Sequence, residues 1–188
     1  ARSRSEAGPY SIQTFSGRQV WPLDPDPDDI CIEDIAHALS MKCRYGGHCI
    51  KFYSVAEHSI LVSRNCYGHR LEALLHDASE AFIGDMSRPL KHLTAAGGPY
   101  REVEAKVMRA IRQKYNLPLA QSDVIHKIDN QMLYAEKQQL MSDLGWTQAS
   151  VEGCECPDRT PATCIIVEMS PREVEEVFLN RFKQLKEN

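Results

Sequence analysis

His58, the pair His76-Asp77, and Asp129 are the residues of this chain whose types and spacing could do chemistry. Each stands in an apolar stretch of helical period. His58 lies between Val55 and Leu61, His76-Asp77 lies in LLHDASEA beside Leu74, Leu75 and Ala78, and Asp129 lies in VIHKIDNQM among Ile125, Ile128 and Met132. Burying an ionisable group is costly unless it is paired or coordinates a metal. Four such groups on three successive helices need a common explanation, and one divalent cation supplies it. Two imidazoles and two carboxylates make a mixed nitrogen and oxygen donor set that suits manganese, iron, cobalt or zinc, and magnesium less well. A six-coordinate ion with four protein ligands keeps two positions for a water and a substrate oxygen, as metal-assisted hydrolysis requires. The plainer alternative is a set of separate, hydrogen-bonded core residues.

The elements that must carry these residues are mostly helical. In residues 11 to 23, Ser16-Gly17 between two short β-prone runs is compatible with a small hairpin. PLDPDPDD, 22 to 29, is a rigid proline-rich linker. Ile32, Ile35, Ala36 and Leu39 have helical spacing, and paired glycines in CRYGGH end that helix. Ser54-Val-Ala-Glu57 has the capping-box pattern and opens the helix of His58. Leucine, alanine and glutamate predict one helix over 70 to 81, followed by a loop, FIGDMSRPLKH. Further helices are expected from about Pro99 to Tyr115, from Ser122 to Leu140, and after a second capping box at Ser170 to Glu173. Between them, residues 143 to 169 read as a long loop with room for a short strand at Cys164 to Val167.

The expected fold is therefore all-α, a single domain spanning 1 to 188 with residues 1 to 28 as a hairpin and linker arm. No apolar run reaches the roughly 18 residues of a membrane span, and ARSRSEAGPYS has no apolar h-region of a signal peptide. Seven cysteines at irregular spacing suit reduced thiols, hence a cytoplasmic setting. Cys154, Cys156 and Cys164 lack a standard zinc-finger spacing and a fourth ligand. A net charge of -4 argues against broad adhesion to nucleic acid, so an anionic substrate must be met by a local cluster or a metal.

The order His58, His76-Asp77, Asp129 resembles the H…HD…D signature of the HD-domain metal phosphohydrolases, an all-helical superfamily. HDASEAFIGDMSRPLKH, 76 to 92, is similar to the corresponding segment of bacterial 5′-deoxynucleotidases and phage deoxyadenosine triphosphate triphosphohydrolases. CRYGGHCIKFYSVAEHS and the ending SPREVEEVFLNRF resemble small phage and bacterial phosphohydrolases. The resemblance implies an HD-domain helical bundle whose metal ligands are His58, His76, Asp77 and Asp129. It implies Glu80 as the general base and Asp85 as the acid that protonates the leaving oxygen. It implies Arg44 and Lys91 as phosphate-binding residues, Tyr45 as an aromatic able to stack on a base, and His126 at a contact that is lysine in some relatives. The implied substrate is a deoxynucleoside 5′-phosphate, cleaved as a monophosphate or as a triphosphate. Magnesium can accompany the substrate phosphates, and a homo-oligomer is implied by the resemblance alone. The rival readings are an HD nuclease or alarmone hydrolase, and a nucleotide-binding protein without turnover. For Glu80, Asp85, Arg44 and Lys91 the ordinary alternatives are a solvated helix face, a turn residue and surface charges.

Overall fold

The computed structural model describes residues 10–142, 162 and 164–187. These residues form an all-α chain with a small N-terminal hairpin. Strands β1 (Ile12–Gln13) and β2 (Gln19–Val20) pair antiparallel, and Gly17 supplies the positive φ of 83° that their turn needs. The buried Asp34 carboxylate pins the turn, accepting from Ser16 N at 2.6 Å and Ser16 Oγ at 2.8 Å. Eight helices follow among the described residues: α1 (Ile32–Met41), α2 (Val55–Asn65), α3 (Arg70–Leu74), α4 (Glu80–Ile83), α5 (Arg88–Leu93), α6 (Gly97–Tyr115), α7 (Asp123–Leu140) and α8 (Pro171–Glu187).

The two capping boxes act where the sequence puts them, and Ser122 adds a further cap. Ser54 Oγ accepts from Glu57 N at 3.1 Å and starts α2, and Ser122 Oγ accepts from Val124 N at 3.3 Å and starts α7. At α8 the box is reciprocal: Glu173 Oε2 accepts from Ser170 N at 2.8 Å, and Ser170 Oγ accepts from Glu173 N at 3.4 Å.

Three expectations are corrected. Residues 70 to 81 are not one helix, because α3 stops at Leu74 and α4 starts at Glu80. His76 Nδ1 donates to the Ala73 carbonyl at 2.8 Å, the acceptor that the Asp77 N–H would use in a continuing helix. The loop expected at FIGDMSRPLKH contains α5, which Pro89 favours by fixing φ in its first turn. No strand forms at 164–167. That segment is held instead by side chains, with Gln139 bonding Cys164 O at 3.1 Å and Ile166 N at 3.0 Å, and Lys51 Nζ donating to Ile166 O at 2.8 Å. Of the expected long loop, residues 143–161 and 163, with Cys154 and Cys156, lie outside the described residues.

The chain, read above as one domain, divides into two compact units, each built from two separated stretches. Unit 1 comprises Ala1–Leu39 and Asp77–Ala120, and unit 2 comprises Ser40–His76 and Gln121–Asn188. Within unit 2, α2 packs against α3, α7 and α8 around Tyr53, Leu61, Val62, Ile125 and Met132. Within unit 1, α5 packs against α6, and the junction depends on Gly97, where a Cβ would meet the Lys91 backbone carbonyl. Gly97→Ala is accordingly expected to lose about 1–3 kcal/mol through overpacking despite the better helix propensity of alanine. Urea unfolding checks this, and a variant as stable as the parent would show that the junction yields freely.

Candidate metal centre

Two imidazoles and a carboxylate meet inside unit 2. His58 is 0% exposed, on the face of α2 that packs against the core. Its Nδ1 donates to Glu136 Oε1 at 2.6 Å, which turns Nε2 the other way. His76 sits past the end of α3, and its Nδ1 bond to Ala73 O turns its Nε2 toward His58, leaving the two Nε2 atoms 3.4 Å apart. Asp129 of α7 brings Oδ1 to 3.1 Å from His58 Nε2 and 3.9 Å from His76 Nε2. With both Nδ1 atoms donating, the neutral rings present two nitrogen lone pairs and a carboxylate oxygen to the same point. Such a cluster of acceptors is unfavourable until a positive charge enters it. A proton or a metal cation can serve.

The donor set fits a cation. His58, His76 and Asp77, the residue peptide-bonded to His76, offer ligand atoms that all lie within 4.8 Å of one another and could hold a metal ion. The contacts behind the histidines are those that orient metal-bound imidazoles, a carboxylate behind one ring and a backbone carbonyl behind the other. Burial and the Arg44 charge push the His58 pKa down, but Glu136 and Asp129 raise it above the ordinary value overall. Burial pushes Asp129 up, yet its bonds to His58 and His76 hold it well below the ordinary carboxylate value.

Glu136, which the sequence reading did not single out, organises the back of the centre. It is 0% exposed, and four groups from three places in the chain converge on it. Oε1 accepts from His58 Nδ1 and from Tyr53 Oη at 2.8 Å, and Oε2 accepts from Tyr45 Oη and pairs with Arg44 Nη2 at 3.3 Å. Burial raises its pKa, but Arg44 and His58 outweigh that and bring it down to about 2. The available signal was spacing: Glu136 follows Asp129 by seven residues, two turns along the same face of α7. The adjacent Glu57 is a second buried carboxyl, pushed up to about 7 mainly by burial.

The expected substrate-binding residues of unit 2 have defined positions. Arg44 and Tyr45 lie in a 3-10 turn, Arg44–Gly47, where Tyr45 (φ 56°) and Gly46 (φ 59°) adopt left-handed conformations. A tyrosine in that region is strained, and its hydroxyl bond to Glu136 is one contact that holds it. Both side chains thus serve the back of the histidine. His126 is exposed on α7 and bonds Asn130 through Nε2 at 3.3 Å.

The other expected residues belong to unit 1. Glu80 opens α4 with its N–H on the Asp77 carbonyl at 3.0 Å. Asp85 follows Gly84, whose carbonyl accepts from Tyr100 Oη at 2.7 Å. Burial raises the Tyr100 hydroxyl pKa, and the charges of Glu104, Glu80, Asp85 and Asp77 raise it further, so these acids share one neighbourhood. Lys91 pairs with Glu104 at 2.8 Å beside the Tyr100 ring. His37 stacks on Phe15 with centroids 3.7 Å apart. Cys31, Cys43, Cys49, Cys66 and Cys164 are free thiols. Among the described residues no helix is long and apolar enough to cross a membrane.

Comparison with known proteins places two relatives beside this chain. It is 37% identical over 179 residues to YfdR of Escherichia coli (strain K12), a match covering 94% of this chain and 96% of YfdR. It is 44% identical over 114 residues to a protein of Rhodobacter capsulatus, covering 55% of this chain and 57% of that protein. No protein-family model matches the chain.

Proposed function

The chain belongs to the family of YfdR, and from the histidine-aspartate centre and the resemblance of its H…HD…D order to the HD-domain phosphohydrolases we propose a divalent-metal-dependent phosphohydrolase acting on deoxynucleoside 5′-phosphates. The convergence of the His58 and His76 Nε2 atoms and Asp129 Oδ1 on one point is the observation that carries this reading. His58, His76, Asp77 and Asp129 are the proposed ligands, and their donor types suit manganese, iron, cobalt or zinc. A cation held there would supply Lewis acidity, acidifying a water and polarising a phosphoryl oxygen.

The chain's own residues divide the remaining work. Glu136 fixes the tautomer and orientation of His58, and Arg44, Tyr45 and Tyr53 hold Glu136 in place. Glu80 is proposed as the base that takes a proton from the attacking water, and Asp85 as the acid for the leaving oxygen, on the resemblance of HDASEAFIGD to the deoxynucleotidases. Lys91 and His126 are proposed phosphate contacts on the same ground. A cytoplasmic setting is proposed from the free thiols. The acidic net charge favours a nucleotide over a nucleic acid as partner. A homo-oligomer is also proposed, and a monomeric mass in solution would remove it.

The test is a panel of ribo- and deoxynucleoside mono- and triphosphates with manganese, cobalt, iron, zinc or magnesium, recording release of phosphate or triphosphate. Turnover restricted to deoxynucleotides is expected, and the product identifies which of the two cleavages occurs. Wild-type turnover that survives undiminished in Asp77→Ala would refute the assigned centre. Nucleotide binding without turnover in any metal would turn the reading to a binding protein.

A further inference from the structure

Three arginines of unit 2, Arg64, Arg70 and Arg181, lie close enough to act on one another's charge, and among the described residues no carboxylate pairs with them. Arg64 lies in the last turn of α2, Arg70 begins α3, and Arg181 lies on α8. Buried Ser63 of α2 holds all three elements together. Its hydroxyl donates to Arg70 O at 2.8 Å, while its Oγ and carbonyl accept from Arg181 Nε at 3.3 Å and Arg181 Nη2 at 3.2 Å. Arg70 lies over the Tyr67 ring, 4.8 Å from its centroid, with a buried Nε that has no hydrogen-bond partner. Tyr67 itself is 76% exposed. Among the described residues no acidic side chain pairs with any of the three. Arg181 is less basic than an ordinary arginine through burial and then through the charges of Arg70 and Arg64.

Such a cluster carries self-repulsion in a chain whose net charge is -4. The C-terminal end of α2 favours Arg64 through the helix dipole and Arg181 through the Ser63 carbonyl, but it gives no reason for Arg70 to gather beside them. A ligand with several adjacent negative charges would. Guanidinium groups match phosphate oxygens in geometry and charge, and the acidic balance of the whole chain disfavours a long nucleic acid.

We propose that Arg64, Arg70 and Arg181 form a binding site for a small anion carrying two or more linked phosphate groups, separate from the metal ligands. The site lies where α2, α3 and α8 meet, with the Arg181 side chain positioned by Ser63 and that of Arg70 by the Tyr67 ring. It does not depend on the metal reading, since none of its residues is a proposed ligand.

The experiment uses the full chain in EDTA, with inorganic tripolyphosphate as probe. The melting temperature should rise saturably with tripolyphosphate. The probe should also protect Arg64, Arg70 and Arg181 from phenylglyoxal, located by peptide mass spectrometry, and leave labelling of exposed Arg101 and Arg172 unchanged. Arg64→Gln, which removes no described contact, should weaken the affinity about tenfold, the scale of one charge-assisted hydrogen bond. Arg64→Lys should recover part of the loss. A deoxynucleoside triphosphate bound more tightly than tripolyphosphate would add the Tyr67 ring to recognition, whereas equal binding would mean that the phosphates alone are read. Absence of a melting shift in the wild type, equal affinity in Arg64→Gln, or protection of other arginines in place of these three would overturn the proposal.

Discussion

Glu136→Ala is expected to destabilise the protein by about 3–5 kcal/mol, the cost of removing one partner from a buried charge pair. The loss arises because Arg44, His58, Tyr45 and Tyr53 all spend hydrogen-bonding capacity on this carboxylate, and alanine leaves those groups without it. Urea unfolding at pH 7 reads the effect as a shift in midpoint at constant slope. The pH dependence has a definite sign. The folded pKa of Glu136, about 2, lies below the ordinary value of 4.5, so its stabilisation is present above about pH 4.5 and is lost as pH falls through about 2. Glu136→Gln should flatten that acid limb. A midpoint unmoved in Glu136→Ala would mean that the four contacts contribute nothing net, and the account of how His58 is oriented would fail with it.

The second large effect concerns cation retention. Asp129→Ala should weaken manganese binding by more than the roughly 10–100-fold that loss of an outer-shell partner costs, because it removes the oxygen that meets both Nε2 atoms. Equilibrium dialysis measures it directly. Binding should also compete with a proton. The His58 pKa is raised above 6.5, so in the metal-free protein this histidine is protonated up to and beyond that pH. Below its folded pKa, manganese affinity should fall about tenfold for each unit of pH, with one proton released per ion bound. The same raised pKa stabilises the metal-free fold at low pH, an effect lost as pH rises through the folded value. Affinity that stayed flat between pH 5 and 8, or survived in Asp129→Ala, would contradict a cation seated among these residues.

The helices and the histidine-aspartate cluster were legible because their signals are local. Ser54 and Ser170 cap the elements they were expected to cap, and the apolar spacing around His58 and Asp129 buries or half-buries both residues. The break at residues 75–79 was not legible. LEALLHDASEA has the composition of a continuous helix, and only the contact of the His76 ring with Ala73 O shows which acceptor is taken. Glu136 escaped notice for a related reason: in LYAEKQQL it reads as an ordinary solvated glutamate, and its burial depends on Arg44, Tyr45 and Tyr53, more than 80 residues earlier. The resemblance implies Arg44 and Tyr45 as substrate contacts, and their bonds to Glu136 escape a one-dimensional reading, which assigns a cation to the substrate more readily than to an internal carboxylate.

The sequence distance between the two halves of the centre sets an order of events during synthesis. His58 and Glu136 are separated by 78 residues, and Tyr45 and Glu136 by 91. A nascent chain that has emerged as far as α6 already exposes Arg44, Tyr45 and both histidines, yet has none of the acidic side chains of α7. Closing such loops costs entropy that is recovered only when the last contact forms. Completion of the centre therefore waits for translation of α7, and a ribosome stalled before residue 129 presents a chain with two exposed imidazoles and an arginine that lack their permanent counter-charges.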